Sequence, residues 1–363
     1  APPSYGRQRL ERRPLDRLAL PCPDYQRRVA EEWALVGEPA HFVATLPDAL
    51  VIGPEGAIGA SDGTLFYDGF QAIHRIPECG FQPMRPLPAP PDWAPSVSLP
   101  EALLDMPATS VRPPTAPRRL PGTSLLLGFM WDYNYYHWML EALPRLALLG
   151  PGVAAAADRL LLFEPRHPFK TRSLERAGLD PAKVEWLGHE TVSCERLILP
   201  SRLCRTGWVS PLATTWLRRA LMGPRRFLQR LPGRGGRRLF VSRQDTANRR
   251  MLNEDAVFAA CRPHGFERVS LAGLTLDEQI ALFAQARAVV APHGAGMVNA
   301  VFMAPGALVV DLMSGSYLNP GIWTLCAACG HSYQPLVGPP ARDGGDYEFP
   351  PELAAEGAKL ALR

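Results

Sequence analysis

Three stretches of this chain place chemically able side chains at spacings that could act together. The first is WDYNYYHWMLEALPRL, residues 131–146. At ~100° per residue, Asn134, His137, Glu141 and Arg145 share one arc of a helix, while Met139, Leu140, Leu143 and Leu146 take the other side. Four-residue spacing lets His137 meet Glu141, so Glu141 is a candidate general base whose basicity His137 adjusts. The competing reading is a solvated helix face beside a group of aromatic rings. Pro144 cannot donate to the carbonyl of residue 140, so a kink is expected just beyond Glu141.

The second stretch is APHGAGMVN, residues 291–299. An apolar strand ends at Pro292, the turn is made by His293, Gly294, Ala295 and Gly296, and a helix then begins and carries Asn299. Backbone N–H groups and the positive end of that helix would favour an anion, most naturally a phosphate. A tight turn with no ligand is the alternative. A nicotinamide-type fingerprint fits less well, because Asn299 stands where a third small residue is wanted. A lipase-like oxyanion loop falls because the chain has no GxSxG.

The third stretch is LFVSRQDTANRRMLN, residues 239–253. Ser242 and Arg243 follow an apolar strand directly, where a hydroxyl and a guanidinium can reach a phosphate at the sheet edge. Arg249 and Arg250 precede the next helix. No GxxxxGK[ST], HExxH or Asp-x-Asp motif is present, so no metal site is expected. A bound diphosphate would have to be neutralised by arginines and a helix N-terminus. Cys326 and Cys329 form a lone CxxC with no second pair, which argues against zinc or redox chemistry.

The elements that must hold these groups alternate. Before about residue 120, turn signals at 53–56, 61–63 and 68–69 separate short apolar runs, which predicts small antiparallel strands and hairpins. The proline-dense stretch 83–121 reads as an extended connection. Strands follow at 124–129, 160–164 and 196–200, with helices at 138–149, 168–177 and 211–230, and 231–236 reads as a junction loop. Beyond it come strands at 238–242, 267–269, 288–291 and 308–312, with helices at 253–262, 275–286 and 296–303. Strand-helix alternation in two blocks predicts an α/β protein with parallel sheets and ligands at the strand C-termini.

Composition sets outer limits. At 363 residues the chain has room for two domains with real cores. Its 39 Lys+Arg against 35 Asp+Glu leave a net charge of +4, too small to require a nucleic-acid partner. Eleven arginines between 218 and 250 read as solvated face and loop, since aromatic interleaving is sparse there. No run of residues passes as a membrane span. The opening APPSYGRQRLERR lacks the apolar core of a signal peptide, and seven scattered cysteines point to a reducing, cytoplasmic setting.

NYYHWMLEALPRL, VSRQDTANRRMLNE and LTLDEQIALFAQARAVVAPHGAGMVNAVFMAPGALVVDLM together resemble glycosyltransferase family 61, whose bacterial members are often described as capsular polysaccharide biosynthesis proteins. The resemblance covers roughly residues 125–313. It implies an inverting, metal-independent enzyme of the GT-B type, with two Rossmann-like domains facing a cleft and no cofactor. Carried onto this chain, the family's catalytic acid falls on Glu141, with His137 and Asn134 beside it. The donor diphosphate would lie against Ser242, Arg243 and the Gly294, Ala295, Gly296 turn, with His293 and Asn299 nearby and Asp311 reaching the ribose hydroxyls.

The domains expected on this basis are a hairpin-rich segment 1–122, an acceptor-side domain 123–230, a nucleotide-sugar-binding domain 231–335, and a tail 336–363 that packs back on the first domain. The partners implied are a nucleotide-sugar donor, with uridine diphosphate the default by analogy, and a glycan or lipid-linked acceptor. Arg7, Arg9, Arg12, Arg13 and Arg17 could favour the inner face of an anionic membrane, although a flexible terminal arm is the preferred reading. Two other functions stay open: a non-catalytic nucleotide-binding scaffold in glycan assembly, and an NAD-dependent oxidoreductase that rests on the glycine turn alone.

Overall fold

The computed structural model describes residues 25, 27, 41–52, 57–59, 65–66, 82–83, 111–112, 117–129, 131–150, 152–188, 190–204, 206–223, 236–246, 248–341 and 345–362. The turns expected at 53–56, 61–63 and 68–69, most of the proline-dense connection, the N-terminal arginines and the stretch 224–235 lie outside these residues. The chain forms two units, one of residues 39–203 and one of residues 204–363 with 1–38.

In the first unit, β1 (Val43–Ile52), β2 (Ala57–Gly59) and β3 (Leu65–Phe66) are antiparallel neighbours, and β4 (Gln82–Pro83) pairs with β5 (Val111–Arg112) as a separate two-stranded sheet. The parallel strands are β6 (Arg118–Leu126), β7 (Arg159–Phe163), β8 (Val184–Leu187) and β9 (Thr191–Pro200), and the seven-stranded sheet runs β3-β2-β1-β9-β6-β7-β8. The hairpins are therefore no separate N-terminal segment. β1 lies along the whole of β9, from Val43 opposite Pro200 to Ile52 opposite Thr191, and Val51, Ile58, Leu126, Leu161, Val192 and Leu197 share one core. Pro121 and Gly122 interrupt β6, and its register on β9 shifts between Leu120 and Thr123.

The helix expected at 168–177 is Pro168–Arg176, which begins with proline at its first turn and turns Lys170, Ser173 and Leu174 inward. The expected single helix 138–149 is instead three pieces: an α-turn Tyr135–His137, a π-helical turn Trp138–Ala142 and a 3-10 helix Leu143–Leu148. Pro144 explains the break. Without its N–H the regular ladder cannot continue, and the amide of Leu143 reaches back to the Trp138 carbonyl.

The second unit is a fully parallel sheet of β10 (Arg237–Val241), β11 (Phe266–Val269), β12 (Ala286–Pro292), β13 (Leu308–Met313) and β14 (Ser332–Val337), in the order β11-β10-β12-β13-β14. The chain leaves β10 toward one edge and returns through β12 toward the other. The C-terminal ends of β10 and β12 thus flank the crevice where such sheets bind ligands. Leu276–Ala284 starts at a capping box between Thr275 and Glu278, which fixes the helix feeding β12.

Two boundaries differ from expectation. Pro211–Met222 belongs to this second unit, where Arg218 Nη2 donates to the Met303 carbonyl at 3.1 Å. The tail also belongs here: Pro351–Lys359 lays Ala354 and Ala358 into the core with Phe240, Val257 and Val310, where a return to the first domain was expected. Gly357 permits this approach, since a Cβ there would come within 2.8 Å of Val310 and 2.7 Å of Leu336.

Candidate functional site

The motif helix follows β6 after a short connection, and Asn134 starts it. Its Oδ1 accepts from the Tyr136 amide at 2.9 Å, so this side chain is an N-cap. The polar stripe is no solvated face: Glu141 has no exposure and Arg145 is 1% exposed. The apolar side of the helix is buried as well. Arg145 donates from Nε to the Pro200 carbonyl at 2.7 Å and from Nη1 to the Leu127 carbonyl at 3.3 Å, which ties the helix to the C-terminal ends of β9 and β6.

Glu141 sits between two cationic or cation-forming groups. Oε1 lies 3.1 Å from His137 Nδ1, and Oε2 lies 3.7 Å from Arg202 Nη1. The first contact is close without meeting hydrogen-bond geometry, and such contacts often tighten only when substrate is in place. The Arg202 guanidinium lies 5.4 Å from the centre of the Phe129 ring. His137 is enclosed by Trp131, Tyr136 and Phe129, and its side chain keeps 16% exposure where the Glu141 side chain keeps none. The member of the pair that can meet a substrate is therefore the imidazole.

A buried ion pair supports this helix from behind. Lys170 Nζ donates to Asp132 Oδ1 at 2.6 Å and to the Phe163 carbonyl at 2.8 Å. Burial raises the Asp132 carboxyl to about 6 in spite of the ammonium beside it, and burial lowers Lys170. Asp132 belongs to the turn that delivers Trp131 onto His137, so the pair fixes one wall of the imidazole's surroundings.

At the crevice of the second unit, Glu254 organises the loop after β10. It accepts from the Ser242 hydroxyl and, at 2.8 Å, from the Arg243 amide. Arg243 Nη1 donates to the His293 carbonyl at 2.9 Å and Nη2 to the Asn248 carbonyl at 3.2 Å, so this side chain spans the two loops at the crevice. Gly294 makes room for it. A Cβ at that position would lie 1.5 Å from Arg243 Nη1, although the backbone there is extended and suits any residue. Gly296 approaches Leu271 closely, with a Cβ meeting Leu271 Cδ1 at 2.8 Å.

A second guanidinium lies close by. Arg249, with φ at 54°, sits 4.1 Å from the centre of the Tyr317 ring. Burial, and then the charge of Arg249, lowers Arg243. Arg243 Nε and Arg249 Nη1 are buried donors without a hydrogen-bond partner among the described residues. Two like charges with spare donors at a strand-end crevice have the chemistry to hold an anion.

His293 donates from Nδ1 to Asp311 Oδ2 at 2.9 Å, and Tyr333 donates its hydroxyl to the same oxygen at 2.9 Å. Asp311 is fully buried, so it orients His293 and does not reach ribose hydroxyls as expected. Asn299 is another correction. It has no exposure, and its Nδ2 donates to Gln279 at 2.9 Å and to the Gly296 carbonyl at 3.1 Å, which locks the turn to the neighbouring helix. Ser242 is likewise 8% exposed and committed to Glu254.

Arg202 was missed from sequence, and Arg249 was noted there without a role. Arg202 did carry a signal, because Ser201-Arg202 follows β9 just as Ser242-Arg243 follows β10. Cys326 and Cys329 are buried free thiols, and burial holds Cys326 far above the range in which a thiolate forms near neutral pH. Among the described residues, no group of three or more His, Cys, Asp or Glu is placed to hold a metal, and no helix is long and apolar enough to cross a membrane.

No curated protein matches the chain. Residues 135–310, which run from the motif helix through the crevice of the parallel sheet, match the family described as Glycosyltransferase 61.

Proposed function

We propose that the protein is an inverting glycosyltransferase of the GT-B type that moves a sugar from a nucleotide diphosphate, by default uridine diphosphate, to a hydroxyl of a glycan or lipid-linked acceptor in cell-surface polysaccharide synthesis. The observation that carries this reading is the continuous family match through both the buried His137–Glu141 pair and the arginine-lined crevice. In an inverting reaction the acceptor oxygen attacks the anomeric carbon as its proton passes to the His137–Glu141 pair. The bond from that carbon to the diphosphate breaks on the opposite face.

Negative charge then builds on the departing diphosphate. Arg243 and Arg249, with the backbone amides of the 293–296 turn, supply the compensating charge and donors without a metal. The Tyr317 ring, 38% exposed beside Arg249, adds an apolar face next to the charged pair.

The test is a thermal-shift screen of nucleotides and nucleotide sugars, followed by transfer assays with those that bind. A ligand at 100 times its Kd adds about 2.7 kcal/mol of stability. Uridine diphosphate is expected to stabilise the protein, and transfer is expected to persist in excess EDTA. Loss of transfer on chelation with recovery in manganese would sink the metal-independent reading, and stabilisation by NAD alone would sink the transferase.

A further inference from the structure

We propose that His137, and not Glu141, is the group that takes the acceptor proton, with Glu141 as its orienting carboxylate and Arg202 as the residue that holds Glu141 in place. The proposal rests on the transferase reading and assigns roles within its site. Exposure carries the argument. Glu141 has none, and its two oxygens face His137 Nδ1 at 3.1 Å and Arg202 Nη1 at 3.7 Å. A carboxylate so enclosed has no open side for an acceptor hydroxyl.

The imidazole keeps 16% exposure and turns Nδ1 toward the carboxylate, which leaves Nε2, on the far side of the ring, to act. In the reaction the acceptor O–H bond breaks, its proton goes to Nε2, and the oxygen bonds to the anomeric carbon. The electron pair of the carbon–diphosphate bond leaves with the diphosphate. The imidazolium so formed is stabilised by the Glu141 carboxylate, a geometry in which a buried acid orients and balances a histidine base.

Arg202 is a positioning residue. Its guanidinium is fixed against Phe129, its side chain is 8% exposed, and it offsets the charge of Glu141 when the imidazole is neutral. Trp131, Tyr136 and Phe129 enclose the ring, so Glu141 is the single carboxylate that the described residues bring against it.

Chemical rescue separates the two assignments. His137→Ala is expected to lose transfer by ~10²–10⁴-fold while binding uridine diphosphate as the wild type does, and added imidazole is expected to restore transfer. Arg202→Met is expected to lower kcat by about 10–100-fold with the donor KM unchanged, and Arg202→Lys to recover part of it. Rescue of Glu141→Ala by formate, with no response of His137→Ala to imidazole, overturns the assignment. So does a folded His137→Ala or His137→Gln that keeps wild-type kcat. A wild-type protein that binds nucleotide sugars yet transfers none strikes the proposed function itself, which these variants leave untouched.

Discussion

A serine-arginine pair follows a buried strand in each unit, Ser201-Arg202 after β9 and Ser242-Arg243 after β10, and the two arginines end in opposite electrostatic settings. Arg202 faces the Glu141 carboxylate. Arg243 donates to carbonyls of His293 and Asn248, and burial and then the nearby Arg249 guanidinium lower it. A position just past a parallel strand delivers a side chain to the ligand edge of a sheet in either case. What lies opposite decides its use. Charges balanced around a carboxylate suit proton chemistry, whereas unbalanced guanidiniums with spare donors suit an anion that arrives from outside.

On that contrast the units should respond differently to the loss of a cation, and this is the largest effect expected. Lys170→Met strands Asp132 at 1% exposure, so stability should fall by ~3–5 kcal/mol, as for other buried pairs broken on one side. Arg243→Met removes bonds to neutral carbonyls and also relieves repulsion from Arg249, so its cost should stay near ~1 kcal/mol. Urea unfolding of both variants checks the difference. Equal losses would break the comparison.

Nucleotide affinity sharpens the same contrast at a smaller scale. Arg243→Met should weaken uridine diphosphate binding by about 10–100-fold, the worth of a charged hydrogen bond, and Arg249→Met by a similar factor. Gly294→Ala should act in the same direction, because its Cβ displaces the Arg243 guanidinium without straining the backbone. Titration calorimetry would show whether Arg202→Met leaves that affinity unchanged, as a residue of the proton-handling group should.

Much of this was legible in the sequence, and the limits have physical causes. The strands of the parallel sheet and the helices between them followed from apolar runs alternating with helical patterns, because a sheet covered on both faces needs continuous apolar strands. The meeting of His137 with Glu141 followed from helical spacing, although a π-turn and a 3-10 helix replaced the regular one. Arg202 could not be placed, since its partner lies far away in the chain and only the pairing of β6 with β9 brings their ends together. Asp311 and Asn299 have the right chemistry for ligand contact, but Tyr333, His293 and Gln279 claim them. Burial of a polar group by long-range neighbours leaves no local signal. The tail was misplaced for a similar reason, because Ala354 and Ala358 are buried by Phe240, Val257 and Val310, which lie far away in the chain.

The smallest effect separates the units by pH. Asp132 is held at about 6 in the folded chain against an ordinary value of 3.8, mainly because burial penalises its charge. Between those values the folded chain keeps a proton that the unfolded chain has released. The stability this group contributes is therefore full below about pH 4 and is lost as pH rises through about 6. A single proton of difference between the folded and unfolded chains bounds the slope at on the order of 1 kcal/mol per pH unit. Urea midpoints of the wild type and of the Asp132→Asn, Lys170→Met double variant, measured from pH 4 to 7, should show the wild type falling relative to the variant as pH rises, because only the wild type loses this contribution. Parallel curves would mean that the Asp132–Lys170 pair stays charged throughout, and the first unit would then be a permanently ionised site with no titrating support behind His137.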